Sequence, residues 1–253
     1  MSDYYNSFDQ TMELCQLAGR IMLFSGGETY RVEDTIVRVA RACGMEAESY
    51  VTPTGIFITL YKEARTHSAM IRITYRTIDL SKVSMVNEVS RELSLGNITP
   101  DQACVRLKEI ATAASGYSPL ISNLCAGLAS GSFAYLFGGN LIDVAVAGFT
   151  GILVNITVNF LLARQAAVFL ATFLAALNAG LIALIAVNTG IVTQLDKIII
   201  GGIMPLLPGV ALTNAVRDMI AGDLVAGVAR AVEALLIAAA IAAAVMMVLA
   251  FVV

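Results

Sequence analysis

The sequence predicts an α+β N-terminal cytoplasmic domain over residues 1–116, followed by an all-α five-span membrane domain over residues 117–253 with a proline-broken fourth helix. Three observations predict this. Charge is confined, with residues 1–116 carrying 12 of the 16 Lys and Arg and 14 of the 19 Asp and Glu. The chain is 58% hydrophobic with a mean hydropathy of +0.78, which is too apolar for a soluble globular protein. Apolar residues recur at helical or period-two spacing in the first part, and run on for about 20 residues at a time in the second, the length needed to cross a bilayer.

Counting from the same residues, net charge is −2 for the first part and −1 for the second, which offers no footprint for nucleic acid. The start, MSDYYNSFDQ, has neither the basic nor the apolar region of a signal peptide, so the first domain is expected in the cytoplasm. Cys15, Cys43, Cys104 and Cys125 lack CxxC spacing and read as reduced, structural thiols.

In the first domain, Phe8, Met12, Cys15 and Met22 fall at helical spacing and predict a helix from about 8 to 24. Ser25-Gly26-Gly27 breaks it. A second helix starts near Thr29, with Glu33 and Asp34 early, Arg38 and Arg41 late, and Gly44 as its stop. Strands are expected at Ser49–Thr52, Gly55–Tyr61 and Ala69–Arg76, with Pro53-Thr54-Gly55 as a turn and His67 in a polar link. Val86, Val89 and Leu93 mark another helix. Thr99-Pro100-Asp101-Gln102 opens the last, with a Thr cap, a Pro at the first position and a Gln at the third.

No GxSxG, HExxH, P-loop or zinc spacing occurs, so no catalytic residue, metal ligand set or cofactor is expected. Ser25-Gly26-Gly27-Glu28 reads as a helix junction rather than an anion site.

In the second domain, spans are expected at about 120–137, 141–163, 166–188, 198–221 and 224–251, with a polar link at Thr193–Lys197. With the N-terminus inside, Arg164 and Arg217 fall on the cytoplasmic side and Lys197 outside, as the positive-inside rule prefers. Gly127 and Gly131, and then Ala234, Ala238 and Ala242, form small-residue faces for helix packing. Asn155 and Asn159 share a helix face, as do Asn214 and Asp218, while Arg230 and Glu233 stand at i,i+3. Asp143 suits the dipole of a first turn, and Asp223 the cap of the fifth span.

The stretch from Gly201 to Asp223 departs most from its surroundings. Pro205 and Pro208 lack N–H groups and release the carbonyls of Gly201 and Met204, so a broken helix beside a cavity is expected. The helix restarting near Gly209 points a positive end into the membrane, where an anionic group can bind. A proline kink used only for packing is the other reading. Asp218, Arg230 and Glu233 lie at membrane depth, where ionisable groups mark a binding site or pathway unless they snorkel to the interface.

Two motifs carry a family resemblance. One is SGGETYRVEDTIVRVARACG with the following TPTGIFIT, from Ser25 to Thr59; the other is MPLLPGVALTNAVRDMIAGDLVAGVARAVEALL, from Met204 to Leu236. With element order and span count, the chain resembles the threonine/serine exporter family, whose members join a cytoplasmic domain to a multi-span membrane domain. The resemblance implies a full architecture of about ten spans, of which this chain carries the first five-span unit. It is similar to the large subunit of split, two-gene exporters, one of which exports succinate.

The resemblance and the residues together predict a subunit of a secondary transporter in the cell (inner) membrane, exporting a small carboxylate-bearing metabolite, most of all threonine or serine. The substrate carboxylate is expected at the helix restart by Gly209, with Thr213 and Asn214 as hydrogen-bond partners. Asp218 holds an ammonium or carries a coupling proton, with Glu233 a second coupling candidate; a dicarboxylate would add Arg230. A second five-span membrane subunit, an oligomeric assembly and the lipid bilayer are the expected partners. The rival readings are a membrane-anchored metabolite hydrolase and a ligand sensor.

Overall fold

The charged, alternating part of the sequence folds as the periodicity requires, and the apolar part as long helices. The computed structural model describes residues 2–250 apart from Ser115 and Thr193, with side chains from Ser7 onward. Thr193 of the expected polar link and the last residues of the expected fifth span, from Phe251, lie outside the described residues. Contacts divide the chain into two compact units, Met1–Gly116 with Leu212–Ala231, and Tyr117–Ala211 with Val232–Val253.

The first unit opens with α1 (Ser2–Phe24) and α2 (Thr29–Ala42), passes through β1 (Glu46–Thr52), β2 (Gly55–Lys62) and β3 (Arg65–Arg72), and continues with α3 (Leu80–Ser94) and α4 (Pro100–Thr112). The three strands form one antiparallel sheet in the order β1-β2-β3. Ile56, Ile58 and Leu60 point from β2 into the core, while Phe57 between them is exposed, the alternation of a sheet covered on one face. Leu14, Cys15 and Met22 from α1 join them, with Val32, Ile36 and Val39 from α2, Val86 from α3 and Leu107 from α4. Gly19 allows α1 to meet α2 closely, since a Cβ there would lie 2.9 Å from Ile36 Cδ1. The Thr99–Gln102 capping box forms as the sequence predicts.

Two expectations need correction. The third strand is Arg65–Arg72 rather than Ala69–Arg76. Glu63 adopts a positive φ of 54°, so residues 63 and 64 make a tight turn that pairs Lys62 with Arg65. The strand register ends with Gly55 opposite Arg72, because β2 begins at Gly55, and one further hydrogen bond runs from the Ile73 N–H to the Thr54 carbonyl. His67 therefore lies within β3 opposite Leu60, stacked on Phe8 at a centroid distance of 6.2 Å, and not in a link. The first helix also starts earlier than expected, at Ser2.

The apolar part forms α5 (Pro119–Leu136), α6 (Leu141–Ala163), α7 (Val168–Asn188), α8 (Leu195–Ile203), a 3₁₀ turn (Met204–Leu206), α9 (Gly209–Ala221) and α10 (Leu224–Leu249). Among the described residues, α6, α7 and α10 are each long and apolar enough to cross a membrane, and the α8–3₁₀ segment with α9 qualifies as one broken span. Length and composition thus give three spans, or four with the broken one. The expected first span forms α5, whose 18 residues rise about 27 Å against a hydrocarbon core of about 30 Å. Ser122, Asn123, Ser130 and Ser132 also dilute its apolar content.

Within the second unit, small residues set the packing. A Cβ on Gly127 would lie 2.9 Å from the Gly148 carbonyl, and one on Gly201 would lie 2.7 Å from the Ser130 carbonyl, so α5 meets both α6 and α8 at backbone distance. Asn155 donates to Asn123 Oδ1 at 2.7 Å, and Asn178 donates to Thr157 Oγ1 at 3.1 Å, tying α6 to α5 and to α7. Asp143 does more than suit a dipole. It completes a capping box, accepting the Asn140 N–H at 2.9 Å while Asn140 Oδ1 accepts the Asp143 N–H.

The proline break resolves differently from expectation at the backbone. The carbonyls of Gly201 and Met204, released from i+4 bonding, accept instead from the N–H groups of Met204 and Leu207, three residues on. The tighter 3₁₀ spacing satisfies both groups, and helix resumes only after Pro208.

Candidate functional site

A run of two glycines between polar residues makes the α1–α2 junction a backbone with open donors and acceptors. Gly26 has φ +86°, a conformation that side chains with a Cβ avoid, and its Cβ would lie 3.0 Å from the Thr77 carbonyl. The chain turns sharply, leaving the carbonyls of Gly26 and Gly27 and the first N–H groups of α2 without helical partners. The two carbonyls and the Thr29 N–H are satisfied from far along the sequence, by α9 and α10.

Asn214, Arg217 and Asp218 stand at i, i+3 and i+4 on α9 and face this junction together. Asn214 Nδ2 donates to the Gly26 carbonyl at 2.9 Å. Asp218 Oδ1 accepts the Thr29 N–H at 3.0 Å, so a carboxylate sits at the positive end of α2. Arg217 Nη1 donates to Glu28 Oε1 at 2.7 Å, and Arg31 Nη1 to Glu28 Oε2 at 3.0 Å. From α10, Arg230 Nη2 donates to the Gly27 carbonyl at 2.8 Å while its Nε lies 3.1 Å from Asp218 Oδ2. Asp223, in the link between the two helices, accepts the Thr29 hydroxyl at 3.1 Å.

The cluster is dry at its centre. Asp218 and Thr29 are fully buried, and Glu28, Asn214 and Arg230 nearly so. Its charges balance, with Glu28, Asp218 and Asp223 against Arg31, Arg217 and Arg230. The Asp218–Arg230 contact is an ion pair without hydrogen-bond geometry, so Oδ2 of Asp218 has no hydrogen bond among the described residues. Burial pushes Glu28 upward, but its backbone hydrogen bond and the guanidinium groups of Arg217 and Arg31 outweigh this and hold it below the usual carboxylate range. Close helix contact supports the geometry. A Cβ on Gly227 would lie 2.8 Å from the Ala215 carbonyl, so α10 runs against α9 at backbone distance.

Of the residues singled out from the sequence, Asn214, Asp218 and Arg230 come together here. Thr213 is exposed on another face of α9. Gly209 and Glu233 fall in the second unit, as do Pro205 and Pro208. Sequence reasoning missed Glu28, Thr29, Arg217 and Asp223 as members. Gly26-Gly27 is indeed a helix junction, but one whose exposed backbone groups bind a polar helix face. The signal available was that both family motifs carry charges with no local partner in sequence. Among the described residues no group of three or more His, Cys, Asp or Glu has the arrangement of a metal site. The cluster sets acidic acceptors beside an amide and guanidinium donors, and in this structure each of them engages the backbone or side chains of the α1–α2 junction.

Comparison with known proteins identifies the family. The chain is 26% identical over 243 residues to a "Threonine/serine exporter" of Corynebacterium glutamicum, covering 92% of this chain and 50% of that protein. It is 25% identical over 238 residues to a "Probable threonine/serine exporter" of Mycobacterium tuberculosis, covering 92% of this chain and 44% of that protein. The chain thus spans about half the length of the curated relatives it matches. No solved structure matches. Residues 13–252 match the family described as "Putative threonine/serine exporter", and with nearly its whole length so covered the chain belongs to that exporter family, a family of membrane transport proteins.

Proposed function

We propose that the chain is one subunit of a secondary transporter that exports a small carboxylate-bearing metabolite, threonine or serine, from the cytoplasm. One observation carries this reading. A buried, charge-balanced cluster joins Asn214 and Asp218, on the helix that follows the proline break, to Arg230 on the next helix. Buried ions cost several kcal/mol to desolvate and are retained at membrane-associated sites mainly where they bind or couple something. Asp218 holds the ammonium or a coupling proton, and Arg230 the carboxylate. Gly209 and Thr213 remain candidates for substrate binding, and Glu233 for coupling.

In this proposal α5 is a fifth, short span, the N-terminal domain lies in the cytoplasm, and the membrane is the cell (inner) membrane. A second five-span subunit completes the transporter, consistent with relatives about twice as long. The absence of a nucleotide motif among residues 1–253 supports proton-motive coupling.

The test is counterflow of labelled threonine and labelled succinate in vesicles carrying the wild type or Asp218→Asn with the partner subunit. Asparagine retains an acceptor for the Thr29 N–H and loses the charge. Threonine counterflow is expected to fall at least tenfold, the loss of a desolvated charge-assisted hydrogen bond of about 1.5–3 kcal/mol. An unchanged rate in correctly inserted protein would remove Asp218 from the mechanism. Selective counterflow of succinate by the wild type would transfer the reading to a dicarboxylate, for which Arg230 and Arg217 are the paired cations on this face.

A further inference from the structure

The occupant of the cluster is a threonine of the chain itself. The N–H of Thr29 donates to Asp218 and its hydroxyl donates to Asp223, while the carbonyl of Gly27, two residues before, accepts from Arg230. Nitrogen, hydroxyl and carbonyl oxygen are three of the polar groups that a free β-hydroxy amino acid presents. Thr29 is fully buried in this position, and Asp218 beside it keeps one oxygen without a hydrogen bond.

We infer that the Gly26–Thr29 segment is a tethered occupant of a β-hydroxy amino acid site, that free threonine displaces it, and that Asp223 is the residue that selects for the hydroxyl. The inference rests on the transport reading and adds to it a specificity residue and a closing segment.

Chemistry favours the exchange. An ammonium brings a positive charge and three donors to Asp218, where the Thr29 amide brings one neutral donor. A carboxylate brings a negative charge to Arg230, where the Gly27 carbonyl brings none. Charge-assisted hydrogen bonds are roughly twice as strong as neutral ones. The tether opposes this by its effective concentration, about millimolar for a short flexible link. The observed affinity for free threonine is then the intrinsic affinity reduced by the fraction of molecules whose segment is undocked. The Glu28 pairs with Arg217 and Arg31 hold the segment down from within and set that fraction. Gly26 and Gly27 give the segment a hinge at one end, and at the other only the first turn of α2, which begins at Thr29, has to fray.

Amide hydrogen exchange on the full chain in nanodiscs, with saturating L-threonine, provides the test. Ordinary binding slows exchange where the ligand sits; displacement instead speeds it in the peptide covering Gly26–Arg31, with α4 unchanged. That acceleration is the expected result. L-valine, which has the same shape without the hydroxyl, is expected to bind at least tenfold more weakly, and Asp223→Ala to reduce that preference to about twofold or less. Thr29→Val, which loosens the tethered occupant, is expected to tighten threonine binding several-fold. Threonine binding with slowed or unchanged exchange at Gly26–Arg31 would overturn the displacement while leaving the transport reading in place. A threonine-to-valine preference that survives Asp223→Ala would overturn the role of Asp223. No binding of threonine to the wild type would overturn both this inference and the assignment of the cluster to substrate.

Discussion

Asp218 and Arg230 illustrate why a buried ion pair is better evidence of function than of stability. Each has lost its water, and their mutual attraction must offset that loss before it stabilises anything. Removing one partner is therefore far worse than removing both. Arg230→Met leaves a buried carboxylate opposite an apolar side chain and is expected to cost about 3–5 kcal/mol. The pair of substitutions Arg230→Met and Asp218→Asn is expected to cost markedly less than the sum of the two, in thermal unfolding of the detergent-solubilised chain. Additive losses would show that the two side chains do not interact. Acid and base responses at two nearby glutamates run in opposite directions. Burial raises Glu33, the hydrogen bond from the Val51 N–H opposes this, and the charges of Asp223 and Asp218 raise it further. A carboxyl raised in the folded state binds more protons there, so its contribution to stability falls as pH rises through the window above the ordinary value of 4.5. Glu33→Gln keeps an acceptor for Val51 and is expected to raise the midpoint at pH 7, the gain fading below pH 4.5. Glu28 is lowered, so its contribution is present above 4.5 and is lost as pH falls. Glu28→Gln is expected to lower the midpoint at pH 7 and to cost progressively less in acid. Both variants shifting alike with pH would contradict the assignment.

At the scale of elements, glycine positions separate packing from backbone need. Gly127→Ala drives a Cβ against the Gly148 carbonyl and Ile152, and is expected to destabilise by about 1–3 kcal/mol as α5 and α6 are forced apart. Gly209 opens α9 with no atom within 4 Å of its Cβ position, so Gly209→Ala is expected to leave stability unchanged or raise it by up to about 1 kcal/mol. Equal losses at both positions would mean that the close α5–α6 approach is not what the glycine provides. The elements most legible in the sequence were those whose signal is local. The Thr99–Gln102 box, the helix break at Pro205–Pro208 and the long apolar helices follow from neighbouring residues alone. The third strand was placed late because Ile71, Ile73 and Tyr75 alternate well, but strand extent is set by the antiparallel partner, and β2 begins only at Gly55. The site was half legible for the same reason. Asn214 and Asp218 advertise a shared face by their spacing, whereas Glu28 and Thr29 lie about 190 residues away, a separation no spacing rule spans.

At the scale of the whole molecule, the chain spans about half the length of the curated relatives it matches. A transport path needs walls on all sides, and the relatives that match this chain at 26% and 25% identity are about twice as long. The apolar surface of this half supports the same proposal. On α10, Leu224, Val225, Val228, Leu235 and Leu236 are all exposed, as are the small residues Ala238 and Ala242, whereas Ala234 is buried within the chain. In a bilayer such a face is satisfied by lipid as well as by protein, so exposure alone does not select a partner. Small residues do, because they let a second backbone approach closely enough for dispersion to favour helix over lipid. The expected partner contact is therefore at the exposed alanines Ala238 and Ala242, and the prediction is specific to them. Replacing Ala238 by Leu adds volume there while keeping the surface apolar. Co-purification with a five-span partner from the same genome is expected to fall at least tenfold, with insertion and thermal stability of this chain unchanged. Threonine counterflow, expected only when both subunits are present, should fall in parallel. Full counterflow by this chain alone in vesicles would end the two-subunit proposal, and undiminished co-purification of Ala238→Leu would move the interface off α10.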